Sequence, residues 1–397
     1  MTDALASTKS PPSRSFGSRG FYDKEVQGVI WQVVTIGVVI GIGWYLYSNM
    51  LHNLETRQIQ TGWDFLWRSS SFDIGESMIE YSSASPYWKA LLVGLINTFR
   101  VAIVGCVLAT ILGVIVGVAS LSRNFLVKKL TASYIHVLRN IPLLLQMIFW
   151  IAVIHHLPAV RDAKSFLGLV ITQRGVYMPV PAADFGWTTA LIGFVLAIVA
   201  SWLVLRWSRA RQAETGETFP VFWASIGLLF GLTVLGWAVG GAPTEWNNLQ
   251  LGRFNISGGV NLSPEFLAVL IALTLYTAAF IAEIVRSGIL SVPKGQVEAA
   301  RAIGLRESVI MRKIILPQAL RVIVPPQTSQ YLNLTKNSSL SVAIGYPDLV
   351  STANTTMNQT GQAPEGILII MVVYLSISLT ISAFMNWYNK SIQLVER

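Results

Sequence analysis

Long apolar runs constrain this chain more than any other feature. A helix needs roughly 17–25 such residues to cross a bilayer. The composition agrees, with 53% hydrophobic and only 12% charged residues and a mean hydropathy of +0.54, whereas soluble domains carry about 25% charged residues. We therefore predict an all-α polytopic membrane protein with about eight transmembrane helices, at Val26–Met50, Leu91–Leu121, Tyr134–Ile154, Thr188–Leu205, Val221–Val239, Phe266–Leu290, Leu316–Val350 and Gly366–Trp387.

The distribution of basic residues predicts the orientation. If the N-terminus lies inside, the inner segments hold most of the lysines and arginines, as the positive-inside rule requires. The net charge of +9 then follows the topology and does not indicate nucleic-acid binding. Cys106 is the only cysteine, so an intrachain disulfide is excluded. The main inner positions are Lys9, Arg14, Arg19 and Lys24, then Arg123, Lys128 and Lys129, then Arg206, Arg209 and Arg211, then Lys294, Arg301, Arg306, Arg312 and Lys313, and finally Lys390 and Arg397.

The polar segment 291–317 lies between the sixth and seventh predicted spans. Pro293 ends the preceding helix, because proline lacks a donor and clashes with the earlier turn. Helix-forming sequence follows to Leu305, and Gly304 is placed to adopt the left-handed conformation that ends a helix. A second short helix is expected from Glu307 or Ser308, closing at Leu316-Pro317. One simple interpretation is an amphipathic helix on lipid headgroups.

The same segment contains an E-A-A-x3-G-x9-I-x-L-P pattern. It is formed by Glu298, Ala299, Ala300, Gly304, Ile314, Leu316 and Pro317. This spacing resembles the cytoplasmic EAA loop of ATP-binding-cassette (ABC) importer permeases, the surface that docks into the ATPase subunit. The resemblance implies that segment 291–317 couples this chain to an ATPase.

Further matches extend the resemblance to the permeases of polar amino-acid importers. They lie at 94–98, at 134–146, at 276–289 and at 336–340. They imply the five-helix core of a type I ABC importer, interrupted by an insert and preceded by one extra span. That layout is similar to permeases of general L-amino acid uptake systems, the Aap and Bzt type. The implied organisation is a disordered cytoplasmic tail (1–25), an N-terminal span with a periplasmic loop (26–88), the first part of the core (89–156), a two-span insert (157–262), the second part of the core (263–390) and a cytoplasmic tail (391–397).

Polar residues inside apolar runs are candidates for the substrate path, since a charge at the bilayer centre costs at least about 2.5 kcal/mol. We expect the seventh span to be broken and the break to aim Lys336 inward, where it could meet a substrate carboxylate. The residues that interrupt this span are Pro325-Pro326, Asn333, Thr335, Lys336, Asn337 and Gly345. A water-facing loop is the alternative for Lys336. Arg100 is expected to mark the outer end of the second span and reach the interface. Glu283 is either a path residue or the partner of Arg286 three positions on. The remaining candidates are Asn337, Ser338, Ser339, Asn97, Gln146 and Tyr276.

The motifs that are absent narrow the function. The sequence contains no G-x-x-x-x-G-K-[ST] phosphate loop, so ATP binding by that mechanism belongs to another subunit. We therefore predict no enzyme activity, cofactor or metal in this chain. The resemblance implies two ABC ATPase subunits, a second permease subunit, related or identical, and a periplasmic amino-acid-binding protein as partners, in a bacterial inner membrane. The alternatives are an ion-coupled secondary transporter that works without an ATPase, which predicts inverted repeats, and a structural membrane scaffold.

Overall fold

The computed structural model describes residues 24–56, 61–163, 165–166, 168–182, 184–217, 219–252 and 255–392, so most of both expected terminal tails lies outside the described residues. Within this part the chain is predominantly helical. The α-helices are α1 Lys24–Thr56, α2 Tyr87–Ala119, α3 Phe125–Asn140, α4 Leu143–His155, α5 Phe185–Thr215, α6 Val221–Val239, α7 Pro264–Leu290, α8 Lys294–Ala302, α9 Glu307–Ile310, α10 Leu316–Asn337, α11 Leu349–Thr360 and α12 Ala363–Ile392.

Helix α7 is the centre of the core and packs against α2, α3, α4 and α10. Small residues allow α2 to approach it closely. A Cβ added at Gly113 would lie 2.7 Å from Ile281, and one at Gly117 would lie 2.7 Å from the carbonyl oxygen of Ala282. Such close approach lets helices in a membrane gain van der Waals contact where the hydrophobic effect between them is weak.

The predicted spans agree with most of these helices. Six helices of the described chain are long and apolar enough to cross a membrane, and a seventh span results if the bent pair α3–α4 is counted as one. The third predicted span is not straight, since α3 and α4 meet at 105°. Pro142 causes the bend because it disfavours the helical conformation at Ile141, which is extended.

The seventh predicted span differs in where it breaks. The expected break occurs at Asn337 and Gly345, and not at Pro325-Pro326, where α10 continues through both prolines. Each proline removes one backbone donor, and packing of α10 against α7 and α12 holds the helix in spite of that loss. The regular helix ends at Asn337, a 3₁₀ helix follows at Ser338–Ile344, and Gly345 turns the chain with φ +85°.

The insert contains α5, α6 and short strands that the sequence analysis did not anticipate. Four strands form an antiparallel sheet in the order β1 Ser165–Phe166, β2 Leu169–Thr172, β3 Gly175–Met178, β8 Val260–Leu262. Strands β4 Val180–Pro181 and β5 Trp246–Asn247 pair with each other, as do β6 Gln250–Leu251 and β7 Ile256–Ser257. The β3–β8 pairing brings the two ends of the insert together and leads directly into Ser263, the N-cap of α7.

Candidate functional site

A sharp turn joins α8 and α9 in the segment that carries the E-A-A pattern. Gly304 has φ +79°, as predicted. The amide of Leu305 donates to the carbonyl oxygen of Ala300 at 3.1 Å, and the amide of Gly304 donates to that of Arg301 at 2.9 Å. These two bonds define a Schellman motif, which satisfies the carbonyl groups left free at a helix end.

The pattern residues differ in exposure around this turn. Ala300 is buried, whereas Glu298, Ala299 and Gly304 are exposed. Ile314 is half-buried, and Leu316 and Pro317 are exposed. The predicted closure at Leu316-Pro317 is wrong, because a π-helical turn at Met311–Ile315 leads from α9 directly into α10. Pro317 is the second residue of α10, which directly follows this turn.

An ion pair crosses the turn. The Arg301 Nε donates to the Glu307 Oε1 at 2.6 Å, and Nη2 donates to Oε2 at 3.3 Å. This hydrogen bonding lowers the pKa of the Glu307 carboxyl from its ordinary value of 4.5. Both side chains are at least half exposed, so the pair orients the turn more than it stabilises it.

Apolar side chains that local sequence does not identify as exposed lie near this ion pair. Ile303 is 75% exposed, and Leu305, Val309 and Met311 are exposed as well. The sequence shows apolar residues at a helix end and in the next turn. Local sequence, however, does not distinguish an exposed apolar residue from a buried one. We call these four residues, with Glu298 and Ala299, the loop surface.

The opposite end of the core holds Lys336 and its neighbours. Lys336 is exposed in the last turn of α10 and lines a cavity of about 420 Å³ with Ser339 and Tyr374. Ser339 donates to the carbonyl oxygen of Lys336 at 2.7 Å. Ser338 is buried and donates to that of Thr335 at 2.8 Å, while Asn337 is half-buried.

The other candidates for the substrate path have partners within the core. The Gln146 Nε2 donates to the carbonyl oxygens of Leu138 and Ile141, both at 3.0 Å, which satisfies groups exposed by the α3–α4 bend. Glu283 forms two hydrogen bonds with Arg286, at 2.6 and 3.1 Å. Tyr276 packs on the core with its ring 5.0 Å from that of Phe280.

Asn97 belongs to a buried polar cluster that the sequence analysis did not find. Its Nδ2 donates to the carbonyl oxygens of Glu76 at 2.8 Å and Pro347 at 2.9 Å. One carboxylate oxygen of Glu76 accepts from Arg100 and the other accepts from the Ser263 hydroxyl. We call Glu76, Asn97, Arg100 and Ser263 the Glu76 cluster. It ties the segment before α2 to α2, α7 and the turn before α11.

Arg100 therefore does not reach outward to the interface as expected. Its guanidinium stacks 4.0 Å from the Phe266 ring centre and pairs with Glu76. The two side chains are only 17% and 11% exposed. A cavity of about 410 Å³ adjoins the cluster and is lined by Glu76, Ser263 and hydroxyl side chains of α11. Among the residues the structure describes, no group of His, Cys, Asp and Glu side chains is arranged to hold a metal ion.

A core of packed apolar helices, six or seven of which could span a membrane in the described part of the chain, defines a polytopic membrane protein. Comparison with protein families assigns the chain to one family of transport proteins. Residues 190–394 match the family described as "Binding-protein-dependent transport system inner membrane component". The chain belongs to this family, which confirms the resemblance drawn from the E-A-A spacing.

Three relatives are similar over nearly their whole length. The "General L-amino acid transport system permease protein AapQ" of Rhizobium johnstonii is 46% identical, over 95% of this chain and 94% of that protein. The "Putative amino-acid ABC transporter permease protein YhdX" of Escherichia coli is 46% identical, over 96% and 98%. The "Glutamate/glutamine/aspartate/asparagine transport system permease protein BztB" of Rhodobacter capsulatus is 40% identical, over 99% and 100%.

Solved structures are less similar to this chain than these three relatives are. A chain of an "amino acid ABC transporter with histidines" aligns with 77% of this chain and 95% of its own length, with a TM-score of 0.46 and 20% identity. The sequence relatives, and not this overlap, establish the family.

Proposed function

We propose that this chain is the permease subunit of an ATP-driven importer that moves L-amino acids into the cytoplasm. Family membership supports a permease, and the names of the three relatives favour amino acids as cargo. The observation that carries the coupling to an ATPase is the loop surface. Four exposed apolar side chains grouped in one short loop are typical of a surface that a partner covers.

The connections of the loop surface suit it to transmit motion. On one side Val292, buried in the core cluster, fixes the start of the loop to the end of α7. On the other side the π-helical turn joins α9 to α10. A force on α8 would therefore reach both helices of the core, since α7 and α10 pack together. ATP-driven closure of two ATPase subunits would in this way rock the core between inward- and outward-facing states.

The assembly follows from this proposal. Both termini and the 291–317 loop would lie in the cytoplasm of a bacterium, with the helices in the inner membrane and its lipids around them. Two ABC ATPase subunits would bind the loops of two permease subunits, and they would bind the ATP, since this chain supplies no phosphate loop. A periplasmic amino-acid-binding protein would deliver substrate at the end that holds the Glu76 cluster. No nucleic acid would take part.

The substrate path is the second part of the proposal. Lys336 lies beside a cavity with hydroxyl groups from Ser339, Tyr374 and Ser378 around it. An ammonium group and neutral donors suit the carboxylate of an amino acid. We place the carboxylate of the passing substrate near Lys336, with Asn337 and Ser339 as neutral partners.

Reconstitution tests the proposal. The permease is purified with its co-expressed partners, placed in liposomes, and supplied with labelled amino acids, with or without ATP inside and binding protein outside. Uptake should require both additions. Uptake driven by an ion gradient without ATP would instead establish a secondary transporter and refute the coupling role of the loop surface.

A further inference from the structure

The α5–α6 hairpin is a unit apart from the core. The two helices contact each other backbone to backbone, because a Cβ at Gly193 would lie 2.3 Å from the carbonyl oxygen of Leu232 and one at Gly236 would lie 2.4 Å from that of Thr189. Within the described residues, contacts between the hairpin helices and the core helices are at most sparse. Most of the other hairpin side chains are apolar and exposed, so lipid is their natural environment in a membrane.

One end of this hairpin carries an ordered cluster of arginine and aromatic side chains. The Arg206 guanidinium lies 4.6 Å from the ring centre of Trp202, and that of Arg211 lies 5.4 Å from Trp207. Phe219 contacts Trp207 edge-on at 5.4 Å. Tryptophan rings of this kind lie at headgroup level, so the guanidinium groups are at the depth of the phosphates.

The arginines of the cluster differ in their partners. Arg211 donates to the Glu217 Oε2 at 2.9 Å. Throughout the described part of the chain, no carboxylate lies within 4.0 Å of Arg206 or Arg209. These two are three positions apart, hence on one face of α5, and both are exposed. The hairpin therefore presents two uncompensated positive charges at its end.

We propose that Arg206 and Arg209 bind the headgroup phosphate of an anionic phospholipid. A guanidinium offers planar paired donors that match phosphate oxygens, and stacking on Trp202 holds the Arg206 group in place. Charge complementarity selects an anionic over a zwitterionic headgroup. The hairpin, whose contacts with the core helices are at most sparse, is in this way attached to the membrane surface. The orientation proposed above assigns the site to the cytoplasmic leaflet, but headgroup binding itself does not depend on transport.

Native mass spectrometry of the intact permease complex tests this site. The complex is titrated with phosphatidylglycerol or with phosphatidylcholine of the same acyl chains. Replacing both residues, Arg206→Gln with Arg209→Gln, should lower the affinity for phosphatidylglycerol about 25-fold, since each arginine near a membrane surface contributes about fivefold. Binding of phosphatidylcholine should fall much less, because its choline cation offsets the phosphate charge. Arg211→Gln is the matched control, because Glu217 already occupies that guanidinium, and it should change the affinity by less than about twofold.

Three results would overturn the proposal. The first is an equal affinity of the parent and the double variant for phosphatidylglycerol. The second is an equal loss of both lipids in a double variant whose melting temperature matches that of the parent, which would mean that the site does not select an anionic headgroup. The third is a double variant that retains the lipid but loses an ATPase subunit during purification, which would assign Arg206 and Arg209 to a protein contact. The melting temperature of each variant, measured without added lipid, shows whether the hairpin remains folded.

Discussion

An arginine–glutamate ion pair lies near each end of α7, but one pair is largely buried and the other is exposed. At its first turn, the Glu76 cluster joins Glu76 to Arg100 with side chains that are 11% and 17% exposed. Beyond its last turn, Arg301 pairs with Glu307, but these side chains are 50% and 68% exposed. The first end is closed by contacts within the chain, whereas the second leaves apolar side chains uncovered.

Burial decides how much each ion pair contributes to the stability of the fold. A buried pair is strongly destabilising to break, because the remaining charge has neither water nor a partner. An exposed pair contributes little, since water solvates either charge alone. One end of α7 is therefore held by the chain itself, while the other depends on backbone geometry and on whatever covers the loop surface. Four predictions test this comparison.

The largest effect is expected at the Glu76 cluster. Glu76→Ala leaves Arg100 buried and unpaired, so we expect a loss of about 3 kcal/mol in the free energy of unfolding. Thermal unfolding of the purified protein measures it. Asp162→Ala breaks the pair with Arg161, whose side chains are 61% and 74% exposed, and should leave the melting temperature nearly unchanged. Equal changes in melting temperature for the two variants would show that the Glu76 cluster does not stabilise the first turn of α7.

The next effect is expected at the loop surface. Gly304→Val forces a branched residue into φ +79°, which costs about 1–2 kcal/mol or more. Uptake should fall strongly while the protein remains inserted, because α8 and α9 can no longer keep their angle. Gly295→Val is the matched control. A Cβ added at either glycine would meet open space, but Gly295 lies in α8 and has no positive φ.

The comparison of these two variants isolates backbone geometry from side-chain bulk. We measure ATP-dependent uptake in liposomes and the amount of ATPase subunit that co-purifies. Normal uptake with normal assembly in Gly304→Val would refute the role of the turn. Equal defects in both glycine variants would point to bulk on the surface in place of backbone strain.

A smaller effect is expected at Lys336. Lys336→Met keeps an unbranched side chain and removes the charge, so amino-acid uptake should fall several-fold while basal ATP hydrolysis and assembly stay intact. Lys390→Met, at the far end of α12, is the control. Uptake kinetics across several amino acids provide the measurement, and unchanged affinity and rate would place Lys336 on a solvated edge of α10.

The smallest effect is expected for the exposed ion pair. Because the pKa of Glu307 is lowered by Arg301, the pair stabilises the fold at pH values above the ordinary 4.5, and this contribution is lost as the pH falls below it. Both side chains are at least half exposed, so Arg301→Gln should leave the unfolding curve at pH 7 within error of the parent. A large shift at pH 7 that disappears on acidification would show that the loop end is also held by charge.

Local sequence predicts those features of the fold and site that depend on nearby residues. The apolar runs predict most helices, and Gly304 predicts the left-handed turn, because both depend on residues within a few positions. The bend at Ile141 also depends on local sequence, because Pro142 restricts the conformation of the residue before it. The continuation of α10 through Pro325-Pro326 could not be predicted in this way, because packing against α7 and α12 decides it.

By itself the sequence determined the apolar helices through its composition, and it determined the family through the resemblance of its motifs and its similarity to known relatives. Only the tertiary structure decided which polar groups meet. Ser263 bonds Glu76 across 187 positions and Asn97 bonds the Pro347 carbonyl across 250. Such pairings depend on the close approach of α2, α7 and α11, and no local preference specifies them. The same reason explains why an exposed Ile303 and a buried Ile310, seven residues apart, could be distinguished only after the chain had folded.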